Sequence, residues 1–144
     1  MFKNLFIILI FVSLSAFGRD INIDKLSLQA SKHDKILFIF IHTTDCGYCE
    51  SMREFTLDEE KVKKLIEKSF IFEHINVRDN DTITYQDFRG SGAKFVQEIG
   101  YTFYPTSLFF DKESDLIYAK PGYVNEKKFY DILKGVIALD KEEL

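Results

Sequence analysis

The sequence predicts an α/β domain in which a central mixed β-sheet is flanked by helices on both faces. Three observations carry this. Ile36 to Ile41 is a continuous apolar run rich in β-branched and aromatic residues, the pattern of a central strand buried on both faces. Helical and strand patterns alternate along the rest of the chain, in the order helix, strand, helix pair, strand, helix, strand, strand, helix. Near the end, Phe129, Ile132, Leu133, Val136 and Ile137 recur at i, i+3, i+4, i+7 and i+8, an amphipathic helix behind the cap candidate Asn125.

The other elements follow in order. Asn22 to Asp34 places Ile23, Leu26 and Ala30 at helical spacing. After the central strand, Thr43-Thr44-Asp45 offers three capping residues directly before Cys46, and Tyr48, Met52 and Phe55 then recur on one helical face. A second helix is expected from Asp58 to Ser69, with Val62, Leu65 and Ile66 inward and Thr56 to Glu59 as a capping box. Phe70 to Val77 reads as a strand. The polar stretch Arg78 to Gly92 reads as an inserted loop or short hairpin. Ala93 to Ile99 is a helix ended by Gly100, and Thr106 to Phe110 and Leu116 to Ala119 are strands joined by the Asp111 to Asp115 turn.

A chain of 144 residues suffices for one domain with a real core. Hydrophobic residues make up 46% and charged residues 29%, which excludes a disordered chain and a membrane-embedded one. The net charge of -4, with no Lys/Arg run, gives no electrostatic support to a nucleic-acid role. Residues 1–18 differ from the rest. Lys3, the apolar Leu5 to Phe17 run and the small residues of Ala16-Phe17-Gly18 form a secretory signal. The run falls short of the roughly 20 residues that span a bilayer as a helix. Export to the periplasm is therefore expected, with the mature domain at residues 19–144 starting from about Arg19.

Cys46 and Cys49 are the only cysteines. As a structural staple the pair would be poor, because closing so short a loop contributes about 2 kcal/mol. As a zinc half-site it lacks a second pair, and only His33, His42 and His74 could complete it. A redox dithiol fits best. Three positions apart at a helix start, the two sulfurs lie on one side of the first turn. There the helix dipole and free N–H groups stabilise a thiolate, which makes Cys46 the attacking sulfur and Cys49, one turn deeper, the resolving one.

A strand, then Cys46-Gly47-Tyr48-Cys49, then Tyr104-Pro105-Thr106 ahead of a hydrophobic strand, then Gly122 before the last helix: this order resembles the thioredoxin superfamily. The resemblance implies a thioredoxin fold, a cis peptide bond at Tyr104-Pro105, and a substrate segment that meets Tyr104, Pro105 and Thr106 and pairs with the Tyr104 backbone. From Ile36 to Val136, the polar insertion, the segment Tyr104 to Asp111 and Pro121-Gly122-Tyr123 are similar to periplasmic SoxW-like thioredoxins. That implies a reductase of periplasmic protein disulfides, itself reduced by a membrane electron donor of the DsbD or CcdA type, working as a monomer and needing no cofactor beyond the Cys46–Cys49 disulfide.

The departures from the family pattern are specific. Phe40 stands where cytoplasmic thioredoxins carry a buried Asp, so the proton path from the resolving thiol must differ. Asp45 replaces the usual Trp; it is a cap candidate whose charge opposes thiolate formation. Gly47-Tyr48 is the dipeptide of some periplasmic disulfide isomerases, which leaves an oxidase or isomerase as the alternative. Those isomerases carry a preceding dimerisation domain, for which no room is expected here. His42, just before the active-site helix, is a candidate for tuning the thiolate, and a copper carrier using Cys46, Cys49 and His42 is the second alternative. His33 and His74 read as ordinary surface or half-buried residues.

Overall fold

The computed structural model describes residues 17–142. All of the leader expected at residues 1–18 except its last two residues lies outside the described residues. The elements run β1 (Asp20–Asn22), α1 (Ile23–Lys32), β2 (Ile36–His42), α2 (Gly47–Met52), a π-helical stretch (Arg53–Leu57), α3 (Glu60–Ser69), β3 (Phe70–Asn76), β4 (Thr82–Tyr85), β5 (Phe88–Ser91), α4 (Gly92–Glu98), β6 (Thr106–Phe110), β7 (Leu116–Pro121) and α5 (Glu126–Glu142).

The main sheet has four strands in the order β3-β2-β6-β7: β3 runs parallel to β2, β6 antiparallel to β2, and β7 antiparallel to β6. It is the mixed sheet expected. The period of two along β2 sends alternate residues into two separate cores. Phe38 and Phe40 join Met52, Leu57, Val62 and Ile66 and the inner face of α5, Phe129, Leu133 and Val136. Leu37, Ile39 and Ile41 join Ile23 and Ala30 of α1 and Phe95 and Val96 of α4. Thus α2, α3 and α5 cover one face, and α1 and α4 the other.

The Arg78 to Gly92 insertion is a hairpin, β4 antiparallel to β5, and β1 pairs parallel with β4 to make a second sheet of order β1-β4-β5. Ile21 and Ile83, opposite one another in the register, are both buried in the second core, which is what holds this small sheet to the domain.

Several local expectations change. Asn22 is the cap of α1, its side chain accepting from the Lys25 N–H, so the helix starts at Ile23 behind a short strand. No capping box forms at Thr56: α3 is preceded by Glu59 without a side-chain cap, and the buried Thr56 hydroxyl donates instead to the Val124 carbonyl at 2.6 Å. The intervening π-helical turn shifts the inward face, so that Thr56 and Leu57 are buried and Phe55 is exposed. Asn125 caps α5, accepting from the Lys128 N–H at 3.0 Å. Gly100, at φ +79°, follows α4 in the left-handed conformation that ends it.

Phe38 stands at the centre of the first core, with the rings of Phe70, Phe72, Phe109 and Phe129 around it, the nearest being Phe109 stacked at 4.7 Å. Phe38→Ala should lower the unfolding free energy by about 3–5 kcal/mol. Urea titration measures the loss, and a decrease below about 1 kcal/mol would mean that the cluster closes around the missing ring.

Candidate active site

The site begins where β2 ends. The chain leaves at His42, turns through Thr43 to Asp45, and enters α2; Asp45 sits at φ +56°, in the left-handed region that short polar side chains tolerate. An amide-to-hydroxyl bond from Asn76 Nδ2 to Thr44 Oγ1, 3.2 Å, ties this turn to the end of β3. The cap of α2 is Cys46, not one of the three residues before it: its backbone is extended and its Sγ accepts from the Cys49 N–H at 3.2 Å. Asp45 is thus the turn residue that aims Cys46 at the helix end.

Cys46 and Cys49 form a disulfide, with Cα atoms 5.2 Å apart. Cys46 is partly exposed, whereas Cys49 is 2% exposed. Only one sulfur is therefore open to a large partner. Tyr48, between them, is 71% exposed, and Gly47 has nothing within 4 Å of where a Cβ would lie. A cavity of about 300 Å³ beside α3 and β3 is lined by Phe40, Leu57, Ile66, Phe72, Arg53 and His74 among others, and by neither sulfur.

The antiparallel register of β2 and β6 sets Thr106 opposite Ile41, so the segment leading into β6 reaches the edge of the sheet from which the Cys46 loop departs. The Tyr104–Pro105 peptide bond is cis. The Pro105 carbonyl accepts from the Gly122 N–H at 2.7 Å, and the buried Thr106 hydroxyl donates to the Phe103 carbonyl at 2.6 Å, so both ends of this step are held. Thr106 is turned into the core, whereas Phe103 is 68% exposed. Burial raises the Tyr104 phenol above its ordinary pKa, with Arg78 of the insertion pulling it the other way.

His42 and His74, named together from sequence only as possible completions of a zinc half-site, share a hydrogen bond between Nε2 of the first and Nδ1 of the second, 3.0 Å, with the donor set by the tautomer. The β2–β3 register explains the pairing, since it sets Phe40 opposite His74, and His42 stacks on the Phe40 ring. Burial, then His74 and Arg53, push the His42 imidazole down to about 4, against a small opposing pull from Asp79. It is neutral near pH 7 and brings no positive charge to a thiolate there. His33 is an exposed cap residue at the end of α1. Among the described residues, the group of three or more His, Cys, Asp or Glu that draws its ligand atoms within 4.8 Å is Asp111, Glu113 and Asp115, not any combination of His33, His42, His74, Cys46 and Cys49. Among the described residues, no helix is long and apolar enough to cross a membrane.

The lowered His42 pKa has a defined sign. The unfolded chain binds this proton near pH 6.5 and the folded chain only near 4, so the contribution to stability is whole above pH 6.5 and is lost as pH falls towards 4. The urea midpoint should fall across that window more steeply in the native chain than in His42→Phe. Equal slopes would assign the acid sensitivity to other groups.

Among curated proteins, none matches the sequence. The fold is similar to that of a thioredoxin from Thermus thermophilus, with a TM-score of 0.66 at 19% identity over 85% of this chain and 89% of that one. It is similar also to a thioredoxin-fold protein from Helicobacter pylori, with a TM-score of 0.61 at 19% identity over 73% and 70% of the two chains. The carboxy-terminal domain of DsbD from Neisseria meningitidis, in the oxidised form, superposes with a TM-score of 0.58 at 18% identity over 78% and 88%. At these identities the likeness is one of fold. Family membership comes from the sequence itself: residues 24–137 match the thioredoxin-like domain, and the chain, with its Cys46–Cys49 disulfide at the start of α2, belongs to that family.

Proposed function

We propose that this protein is an exported thiol–disulfide oxidoreductase that reduces disulfides of periplasmic proteins, in the manner of the SoxW-like thioredoxins it resembles. The observation that carries the reading is the unequal exposure of two sulfurs at one helix start, Cys46 open and Cys49 buried. In the reduced state the Cys46 thiolate attacks one sulfur of a substrate disulfide, forming a mixed disulfide and releasing the other substrate sulfur as a thiolate. Cys49, deprotonated, then attacks Sγ of Cys46. The second substrate sulfur leaves as a thiolate, both substrate sulfurs are reduced, and the Cys46–Cys49 disulfide carries the two-electron oxidation. The half-buried Tyr104, ahead of Pro105, is the proposed seat of the substrate backbone beside Cys46, with the exposed Tyr48 and Phe103 as apolar contacts; Thr106, expected from the resemblance to meet the substrate, is fully buried and serves the sheet instead.

The direction of electron flow follows from charge. Strong oxidants stabilise their thiolate heavily. Here Gly47 and Tyr48 carry no charge, His42 is neutral, and Asp45 places a negative charge next to Cys46. Each of these leaves the reduced dithiol less stabilised and makes it a better electron donor. The disulfide would be regenerated as a dithiol by a membrane donor of the DsbD or CcdA kind. Likeness of fold to a DsbD domain fits a place among such exchange partners.

Equilibration with glutathione buffers should give a reduction potential more negative than about -200 mV, on the side of thioredoxin at about -270 mV rather than DsbA at about -120 mV. A value near that of DsbA, with the pair oxidised in cells, would replace the reductase by an oxidase or isomerase.

The roles of the sulfurs are tested separately. Cys49→Ser should accumulate mixed disulfides with exported proteins through Cys46, and Cys46→Ser should accumulate none. Equal trapping by both variants would reverse or abolish the assignment.

A further inference from the structure

The least expected ion pair in the molecule lies at the start of the described chain. The Arg19 backbone N–H donates to Oδ1 of Asp81 at 2.7 Å, while its guanidinium gives Nε and Nη2 to Oδ2 of the same carboxylate at 3.1 and 2.8 Å. Nη1 reaches Glu73 at 2.8 Å, and Nη2 also meets the His74 carbonyl on the free edge of β3. Asp81 is 5% exposed although it lies in a polar insertion, in the turn that leads into β4. Burial pushes its carboxyl up, but the hydrogen bonds from the Arg19 side chain and backbone outweigh this and hold it below its ordinary value. The Arg19 carbonyl then accepts from Thr82 N–H at 2.8 Å, and β1 starts its parallel pairing with β4 at the next residue.

Two features of this site fit a cut chain better than a continuous one. With the chain continuous, one cation, the Arg19 guanidinium, faces two carboxylates, Asp81 and Glu73. A free amino group at Arg19 would make the count two and two, with the new charge on the nitrogen already 2.7 Å from Asp81. The second feature is the crowding just before it: a Cβ at position 18 would fall on the carbonyl of Asn80, so the continuous backbone passes there only because residue 18 is Gly. Removing residue 18 removes that constraint.

We propose that Asp81 is the receptor for the mature amino terminus: hydrolysis of the Gly18–Arg19 bond by a signal peptidase leaves Gly18 a carboxylate and Arg19 an α-ammonium, which is held by the Asp81 carboxylate. The cut itself rests on the export reading above, while the receptor rests on the geometry. Leader removal therefore adds an ion pair to the mature fold, fastening β1 to the hairpin and covering the edge of β3.

The test uses the chain from Arg19 to Leu144, released from a cleavable fusion with a free amine, and the same chain acetylated at that nitrogen. An NMR titration of the Arg19 α-proton should give an amine pKa about one unit or more above the ordinary 7.7–8.0. A raised amine pKa contributes stability that is whole below the unfolded value and is lost as pH rises through the folded one. Acetylation should therefore lower the urea midpoint at pH 7 and leave it unchanged well above the folded pKa. Glu73, His74 and the Arg19 guanidinium face the same group, so Asp81→Asn should return the amine to its ordinary value. Acetylation leaves every side chain in place and keeps the test readable if Asp81→Asn does not fold. An ordinary amine pKa in the native chain overturns the receptor. Sequencing the protein from the producing cell separates the two assumptions: Arg19 as first residue supports the cut, a start at a neighbouring residue overturns the cut and the receptor while export stands, and Met1 intact overturns the cut and the export reading together.

Discussion

Burial of β2 on both faces is the constraint from which the rest of the molecule is arranged. Phe38 and Phe40 point into one core and Leu37, Ile39 and Ile41 into the other, and all five are fully buried. A slip of one residue would exchange the two sets, placing the Phe rings against α1 and α4 where Leu37, Ile39 and Ile41 now pack and the smaller aliphatic chains where the Phe38 ring now meets Phe70, Phe72, Phe109 and Phe129. Register is therefore fixed along the whole strand, and with it the point at which the chain leaves the sheet. That point is His42, four residues before Cys46. The same strand positions its neighbours: β3 brings His74 to Phe40, and β6 brings Thr106 to Ile41. The parts of the site are thus gathered by the packing of one strand, and none needs a long loop to hold it.

At the helix start, structure and chemistry use the same atom. Cys46 Sγ accepts the N–H that a Ser or Asp side chain would accept at an ordinary cap. A sulfur in that place is held at the exposed end of the helix and receives a donor that favours negative charge. Cys49 lies under the first turn, packed among core residues. The helix itself creates the inequality between two chemically identical side chains, and nothing charged in the intervening dipeptide amplifies it.

What could be read from sequence depended on how local the cause was. The continuous run of β2 and the stripe of α5 are dense local patterns, and both elements lie where they were expected. The cysteine spacing and the segment before Pro105 were legible as motifs. Capping propensity points to Thr43, Thr44 or Asp45, and the Cys46 thiol that takes the role has no such propensity. The π-helical turn at Arg53–Leu57 has no sequence signature, so helical spacing alone places Phe55 inward and Thr56 in a capping box, whereas Phe55 is exposed and Thr56 bonds the Val124 carbonyl. The His42–His74 pair depends on the β2–β3 register, and β1 on a partner far along the chain; neither leaves a mark on the residues nearby.

The pairing of β1 with β4 joins Asp20 to Thr82. A chain that emerges amino terminus first, from a ribosome or through a narrow channel, presents three residues of strand long before their partner exists. The four-stranded sheet is no quicker to complete, because β2 must wait for β6 to cover its second edge. Contacts of such long sequence separation slow folding and keep the nascent segment extended. Under the export proposed above, slowness at the leading end of the mature domain would be an advantage during threading across a membrane: the part that enters first is the part that commits last.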